Sequence, residues 1–143
     1  MVTVVVDTNV LVSALVGHGN PRRLVLTLLR DHTIVSSTPL LAELADVLTR
    51  DKFAEIKTYQ INSFLAILVE KPKLVSIKEP LKIMVEDPDD LVPATAHEGK
   101  ARYIVSGDRH LLKMKVFKGI EVVAVKRMLE LLKDLKVSEE FAG

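Results

Sequence analysis

The sequence predicts an α/β fold of three layers around a central parallel five-stranded sheet. Three observations predict it. Five short apolar runs, rich in Val and Ile, alternate with segments of helical period. The clearest run, Val2 to Val6, lacks the in–out alternation of a half-exposed strand, so both of its faces are expected to be buried. A length of 143 residues suits one domain. A chain of that size buries roughly 68–70% of its unfolded surface and needs no staple.

The elements follow in order. Val2–Val6 reads as a buried strand. Asn20-Pro21 starts a helix with Pro at its first position, and Leu24, Leu28 and Leu29 mark one face of the segment Arg22 to Arg30. Ile34-Val35 is a short second strand. Thr38-Pro39 opens a helix carrying Leu40, Leu41, Leu44, Val47 and Leu48. The next helix runs from about Thr58 to Val69, with Ile61, Phe64, Leu65 and Leu68 at helical spacing. Leu74-Val75 is a third strand. Asp87-Pro88-Asp89 reads as the N-terminus of a helix over 90–98. Tyr103–Val105 is a fourth strand, Arg109–Lys113 a short helix, Ile120–Val123 a fifth strand and Lys126–Leu135 a terminal amphipathic helix. A single domain is expected over residues 1–137, with 138–143 as a frayed tail. No repeat, low-complexity tract or linker interrupts the pattern.

Composition narrows the function classes. The chain has no cysteine, which removes thiol nucleophiles, zinc–thiolate sites and disulfides together. The N-terminus lacks the charged region of a signal peptide, and its first apolar run breaks at Asp7. No apolar stretch approaches 18 residues, so no membrane span is expected. The expected location is therefore cytoplasmic. Twenty basic side chains nearly balance 19 acidic ones, giving a net charge of +1. Polyanion binding then requires a local patch. Arg22 and Arg23, Lys100 with Arg102, and Arg109, Lys113, Lys115 and Lys118 supply the choices, each also readable as a solvated face.

The chemistry-bearing residues are acids. Asp7 ends the first strand and opens Asp7-Thr8-Asn9-Val10. Asp108 follows the fourth strand in Ser106-Gly107-Asp108. Asp90 closes the turn Glu86-Asp87-Pro88-Asp89-Asp90, and Glu43 interrupts an apolar helical pattern. Ligands of open α/β sheets bind outside the carboxyl ends of the strands, where these acids would gather. Each has a plainer reading. Asp7 and Asp108 could cap the helices that follow them. Glu43 could lie at a solvated helix edge, and Asp87, Asp89 and Asp90 could favour a helix dipole. Convergence changes the balance: two carboxylates about 5 Å apart repel by roughly 3 kcal/mol at an effective dielectric near 20. A bound cation relieves that repulsion. Carboxylate oxygens suit Mg²⁺ or Mn²⁺, one ion or two, which polarises a phosphodiester and lowers the pKa of bound water.

Other signals are weaker. Gly17-His18-Gly19 lacks the third glycine of a dinucleotide fingerprint. Neither a phosphate-binding loop nor a Gly-x-Ser-x-Gly elbow is present. A phosphoaspartate phosphatase would place a second acid two residues after Asp7, where Asn9 stands. His110 could touch a substrate phosphate or simply lie on the surface.

Asp7-Thr8-Asn9-Val10-Leu11, a mid-chain Glu43, Asp87-Pro88-Asp89-Asp90 and Ile104-Val105-Ser106-Gly107-Asp108 together resemble the PIN-domain ribonucleases, most closely the VapC-like toxins of prokaryotic toxin–antitoxin pairs. The likeness covers nearly the whole chain in the expected order. It implies a Rossmann-like sheet and Mg²⁺- or Mn²⁺-dependent cleavage of single-stranded RNA. The acidic site implied is Asp7, Glu43, Asp90 and Asp108, oriented by hydrogen bonds from Asn9 and Ser106. Asp90 is preferred to Asp89 because it lies 18 residues before Asp108, similar to the family's spacing. Asp89 would sit about 100° round the helix, so Asp87 and Asp89 are left as outer acids. Leu91 replaces a residue that is polar in many relatives, and Pro93 falls early in its helix, where a missing N–H is tolerated. The resemblance also implies a homodimer or tetramer and a small antitoxin partner. A housekeeping RNA-processing or structure-specific nuclease of the same fold, or an inactive binding member, are the alternatives.

Overall fold

The first apolar run folds as β1 (Thr3–Val6), and the computed structural model describes residues 1–50, 55–76 and 91–142 around it. The remaining strands are β2 (Thr33–Ser37), β3 (Lys73–Val75), β4 (Tyr103–Val105), β5 (Val116–Phe117) and β6 (Ile120–Val123). They form a six-stranded sheet in the order β3-β2-β1-β4-β6-β5. β1 has a parallel neighbour on each side, with Val4 opposite Ile34 of β2 and Val6 opposite Val105 of β4. β3 continues the parallel set beyond β2, and β6 continues it beyond β4.

This placement explains the unbroken valine run, because both faces of a central strand are covered. Val4 and Val6 pack into one core together with side chains of α1 (Thr8–Val16), α2 (Asn20–Asp31), α3 (Thr38–Leu48), α4 (Thr58–Glu70) and α7 (Val125–Ala142). Val5 points the other way. It joins Val35, Ile104 and Val122 in a second core, beneath α5 (Leu91–Glu98) and α6 (Arg109–Met114). The result is the expected three layers.

Three differences from expectation have physical reasons. The sheet carries a sixth, antiparallel strand, β5, in addition to the five parallel ones. Its hairpin closes on Lys118 and Gly119, both at positive φ (47° and 81°), the backbone of a two-residue type I′ turn. Two residues are too few to show a period. The helix α1, presupposed by the capping reading of Asp7, has no range marked in the sequence. Its sequence, TNVLVSALV, is rich in β-branched residues and buries Val10, Leu11, Val12 and Ala14, so neither propensity nor an amphipathic stripe marks it. Finally, α7 continues to Ala142, past the expected helix end at Leu135. The turn holding Asp87, Asp89 and Asp90 lies outside the described residues.

Candidate active site

The chain order fixes where a site belongs. From β1 it proceeds outward to β2 and β3, then crosses back to β4 on the opposite side of β1. The sheet order therefore reverses between β1 and β4, and a crevice forms at the carboxyl ends of such a pair. Asp7 is the first residue past β1, and Ser106 the first past β4.

Asp7 is 7% exposed, and its backbone N–H donates to the Val105 carbonyl at 2.9 Å. It occupies the residue before α1, yet its side chain does not cap that helix in the usual way; of the helix N–H groups, the one that bears on it is that of Thr8, the first residue. The carboxylate turns across the switch point instead: the hydroxyl of fully buried Ser106 donates to Asp7 Oδ2 at 2.7 Å. Ser106 is itself held by its N–H, which donates to the Val123 carbonyl of β6 at 3.1 Å. Burial pushes the Asp7 carboxyl above its ordinary pKa. The Ser106 hydroxyl and the Thr8 N–H pull it back in part, and the nearby Asp108 charge adds to the rise.

Asp108 reaches the same place from the next turn. Its N–H donates to Ser106 Oγ at 3.0 Å, so one hydroxyl links the backbone of Asp108 to the carboxylate of Asp7. Asp108 also caps α6, accepting the His110 N–H on Oδ1 at 2.7 Å. The capping reading thus describes Asp108 and fails for Asp7.

Glu43 lies on α3, half-buried beside the buried face of Leu40, Leu44 and Leu48. Partial burial raises its pKa first and the Asp7 charge raises it further, while Arg50 draws it down. Arg50, just past the end of α3, is not singled out by the sequence. The helix α3 is anchored at its start by Ser37, whose Oγ accepts the Leu40 N–H at 3.4 Å. Ser37 Oγ also hydrogen-bonds Thr95 Oγ1 of α5 at 2.9 Å, both residues being fully inaccessible. Nothing in sequence distinguished that hydroxyl pair from surface Ser and Thr.

Of the expected site residues, Asp7, Ser106 and Asp108 share one hydrogen-bond chain, and Glu43 is coupled to Asp7 through its charge. Asn9 is exposed in the first turn of α1, with no side-chain hydrogen bond among the described residues. Among the described residues, no three acid or imidazole groups approach closely enough to hold one metal ion. The donors present are nevertheless hard oxygens. Mg²⁺, which keeps several waters, is held by one or two carboxylates rather than an all-protein cage. Asp7 and Asp108 fit that requirement.

The basic residues divide by location. Arg22 is occupied: its Nε and Nη2 donate to the Ala14 and Leu15 carbonyls at 2.8 and 2.7 Å, and Nη1 meets His18 Nδ1 at 2.7 Å. Arg102 and Lys118 lie over the Tyr103 and Phe117 rings, at 5.3 and 5.9 Å from their centroids. Arg109 and Lys113 are exposed on α6, immediately after Asp108.

Solved structures that are similar in fold include two from different organisms. One is a chain of VapBC2 from Rickettsia felis, bound in its crystal to a DNA fragment from its promoter; it matches with a TM-score of 0.60 and 18% identity over 85% of this chain and 98% of that one. The other is PAE2754 from Pyrobaculum aerophilum, with a TM-score of 0.64 and 18% identity over 93% of this chain and 90% of that one. No curated protein matches in sequence. The profile of the PIN domain family matches residues 3–110, a span that includes β1, the switch point and Asp108, and the chain belongs to that family.

Proposed function

We propose that this protein is a Mg²⁺- or Mn²⁺-dependent endoribonuclease that cleaves single-stranded RNA, acting as the toxin of a toxin–antitoxin pair. The observation that carries the reading is the buried Asp7 carboxylate at the switch point, tied to Asp108 through Ser106. A carboxylate with a raised pKa at the mouth of a crevice favours a function over plain capping. The toxin assignment draws on the likeness to VapBC2 together with the family.

In this reading Asp7 and Asp108 hold the cation, with Glu43 and Asp90 completing the acidic set and Asp87 and Asp89 further out. When bound, the cation supplies Lewis acidity toward the phosphodiester and a lowered pKa for water. The chain's own residues prepare the site. Ser106 fixes one oxygen of Asp7 and holds the Asp108 backbone in register with it. Burial of Asp7 makes its ionised form costly, and a cation offsets that cost. Arg109 and Lys113 lie on the helix that follows Asp108, where a phosphate backbone would approach.

A small antitoxin and a homodimer, paired in some conditions into a tetramer, belong to the same proposal. α4 supports an apolar partner, since Leu68 is its one buried residue while Tyr59, Ile67 and Val69 are exposed. No helix among the described residues is long and apolar enough to cross a membrane, and we place the protein in the cytoplasm with its RNA substrate. The test is incubation of pure protein with labelled single-stranded RNA, with Mg²⁺ or Mn²⁺ and with EDTA. Cleavage that EDTA stops and Asp7→Asn abolishes is the expected result; metal-independent cleavage, or cleavage that survives Asp7→Asn, contradicts it.

A further inference from the structure

We infer that the groove between α2 and α7 is a binding track for the phosphate backbone of a single-stranded nucleic acid, a role that rests on the nuclease reading but is tested apart from cleavage. The two helices pack side by side and leave a groove of about 950 Å³ between them. Arg23 and Arg30 stand on one wall, Lys126, Lys133 and Lys136 on the other, and all five side chains are exposed. The described lining holds two acids, Asp31 and Glu130, and each is paired locally. Asp31 takes Arg30 at 3.0 Å and Glu130 takes Arg127 at 3.3 Å. The lining thus carries a net +3 with His32 neutral, against +1 for the whole chain, which leaves −2 for everything else. Positive charge is concentrated here, not spread evenly.

The groove is oriented so that a strand lying in it could reach the acids. Lys126 is in the first turn of α7, directly after β6, whose Val123 carbonyl receives the Ser106 N–H. Arg30 is at the far end, since α2 leads into β2 where Thr33 N–H meets the Val2 carbonyl. Arg23 to Arg30 and Lys126 to Lys133 are each seven residues apart, so the cations repeat at about 10 Å along both walls. The walls sense each other: Lys136 of α7 helps to lower the pKa of Asp31 on α2. The described lining contains no Phe, Tyr or Trp. Stacking platforms for bases are missing from it, so binding rests on phosphate contacts, tolerates any sequence and weakens steeply with salt.

The experiment measures binding of a labelled oligouridylate to the full chain in EDTA, by fluorescence anisotropy across a salt series. Arg23→Gln with Lys133→Gln should weaken binding about tenfold at low salt and reduce the log–log salt slope by about 1.4, the value for two lost contacts to a single strand. The exposed pair Lys71→Gln with Lys73→Gln, outside the groove, should change neither, and melting curves establish that all variants fold. Equal loss in both pairs, an unchanged slope in the groove pair, or no binding by the native chain overturns the inference. So does groove-dependent capture of polyglutamate with no affinity for the oligouridylate, which would make the groove a seat for an acidic protein segment. Groove-dependent RNA binding without metal-dependent cleavage would sustain the track and defeat the nuclease proposal; cleavage unaffected by the groove variants, with unchanged binding, would do the reverse.

Discussion

The hydroxyl of Ser106 donates to Asp7 Oδ2 at 2.7 Å across 99 residues of chain, and Ser106 Oγ in turn accepts the Asp108 N–H at 3.0 Å. One side chain thus spans the two strands whose separation creates the crevice. Ser106→Ala removes the donor and leaves a buried carboxylate oxygen without a partner, at a cost of about 1–3 kcal/mol. For a domain of this size that lowers the melting midpoint by roughly 3–15 °C. Ser106→Thr should recover most of it. A calorimetric midpoint for Ser106→Ala equal to that of the native protein would show that the bond contributes nothing.

The pH dependence of stability has a defined sign. Asp7 and Glu43 both have folded pKa values above their ordinary ones, so over part of the range the folded state binds more protons than the unfolded state. Their stabilising contribution is complete below the ordinary carboxylate values, about 3.9 for Asp and 4.3 for Glu. It is lost as pH rises through the raised folded values. In EDTA, native protein should therefore lose a component of stability as pH climbs from about 4, and Asp7→Asn should flatten that component. A steeper fall in Asp7→Asn than in the native chain would reverse the assignment.

How much of this could be read in the sequence follows from the physics of each element. Strands buried on both faces announce themselves through β-branched runs, so β1 and β4 were legible, and with them the acids immediately after. The helix α1 was not, because its valines suit a strand and burial around its circumference removes the amphipathic signal. β5 is too short for periodicity, although Lys118-Gly119 was a usable turn signal. At the site, charge was legible and partnership was not. Asp108 looks the same in sequence whether or not it caps α6, and Arg22 looks like surface charge although its guanidinium closes the end of α1.

That use of Arg22 is itself testable. Its two donations to the Ala14 and Leu15 carbonyls satisfy acceptors in the last turn of α1. They also lock α2 against α1, since Arg22 belongs to α2. Arg22→Ala should cost about 1.5–3 kcal/mol, the range for hydrogen bonds to charged groups. Lys cannot reproduce a forked donor, so Arg22→Lys should rescue little. Full rescue by Lys in chemical denaturation would show that charge alone matters there.

Metal binding offers a readout that needs no RNA. Ligand at about 100 times its dissociation constant stabilises a native state by roughly 2.7 kcal/mol, which for this chain is about 10 °C in melting midpoint. Mn²⁺ in the millimolar range should produce that rise at neutral pH. The rise should shrink as pH falls, because protons compete for Asp7 and Glu43, whose pKa values are raised. Asp7→Asn should abolish most of the shift. A native midpoint indifferent to Mn²⁺ would leave the acids without the cation proposed for them.

The buried Ser37–Thr95 pair predicts a non-additive outcome. The two hydroxyls meet at 2.9 Å with no solvent access, and Ser37 also caps α3. Thr95→Val deprives Ser37 of one partner while keeping shape, and should cost about 1–2 kcal/mol. Ser37→Ala loses both the pair and the cap, and should cost more. Removing both hydroxyls leaves no orphaned polar group from the pair itself, so the double variant should be more stable than the sum of the single effects by about 0.5–2 kcal/mol. The pair fastens α3, which carries Glu43, to α5, and its loss should therefore reach the site. The Mn²⁺-induced rise in melting midpoint should be smaller in Thr95→Val than in the native chain, even at temperatures where both are fully folded at the start. A double-mutant cycle that closes to zero, with an unchanged Mn²⁺ response, would reduce the pair to two independent buried hydroxyls.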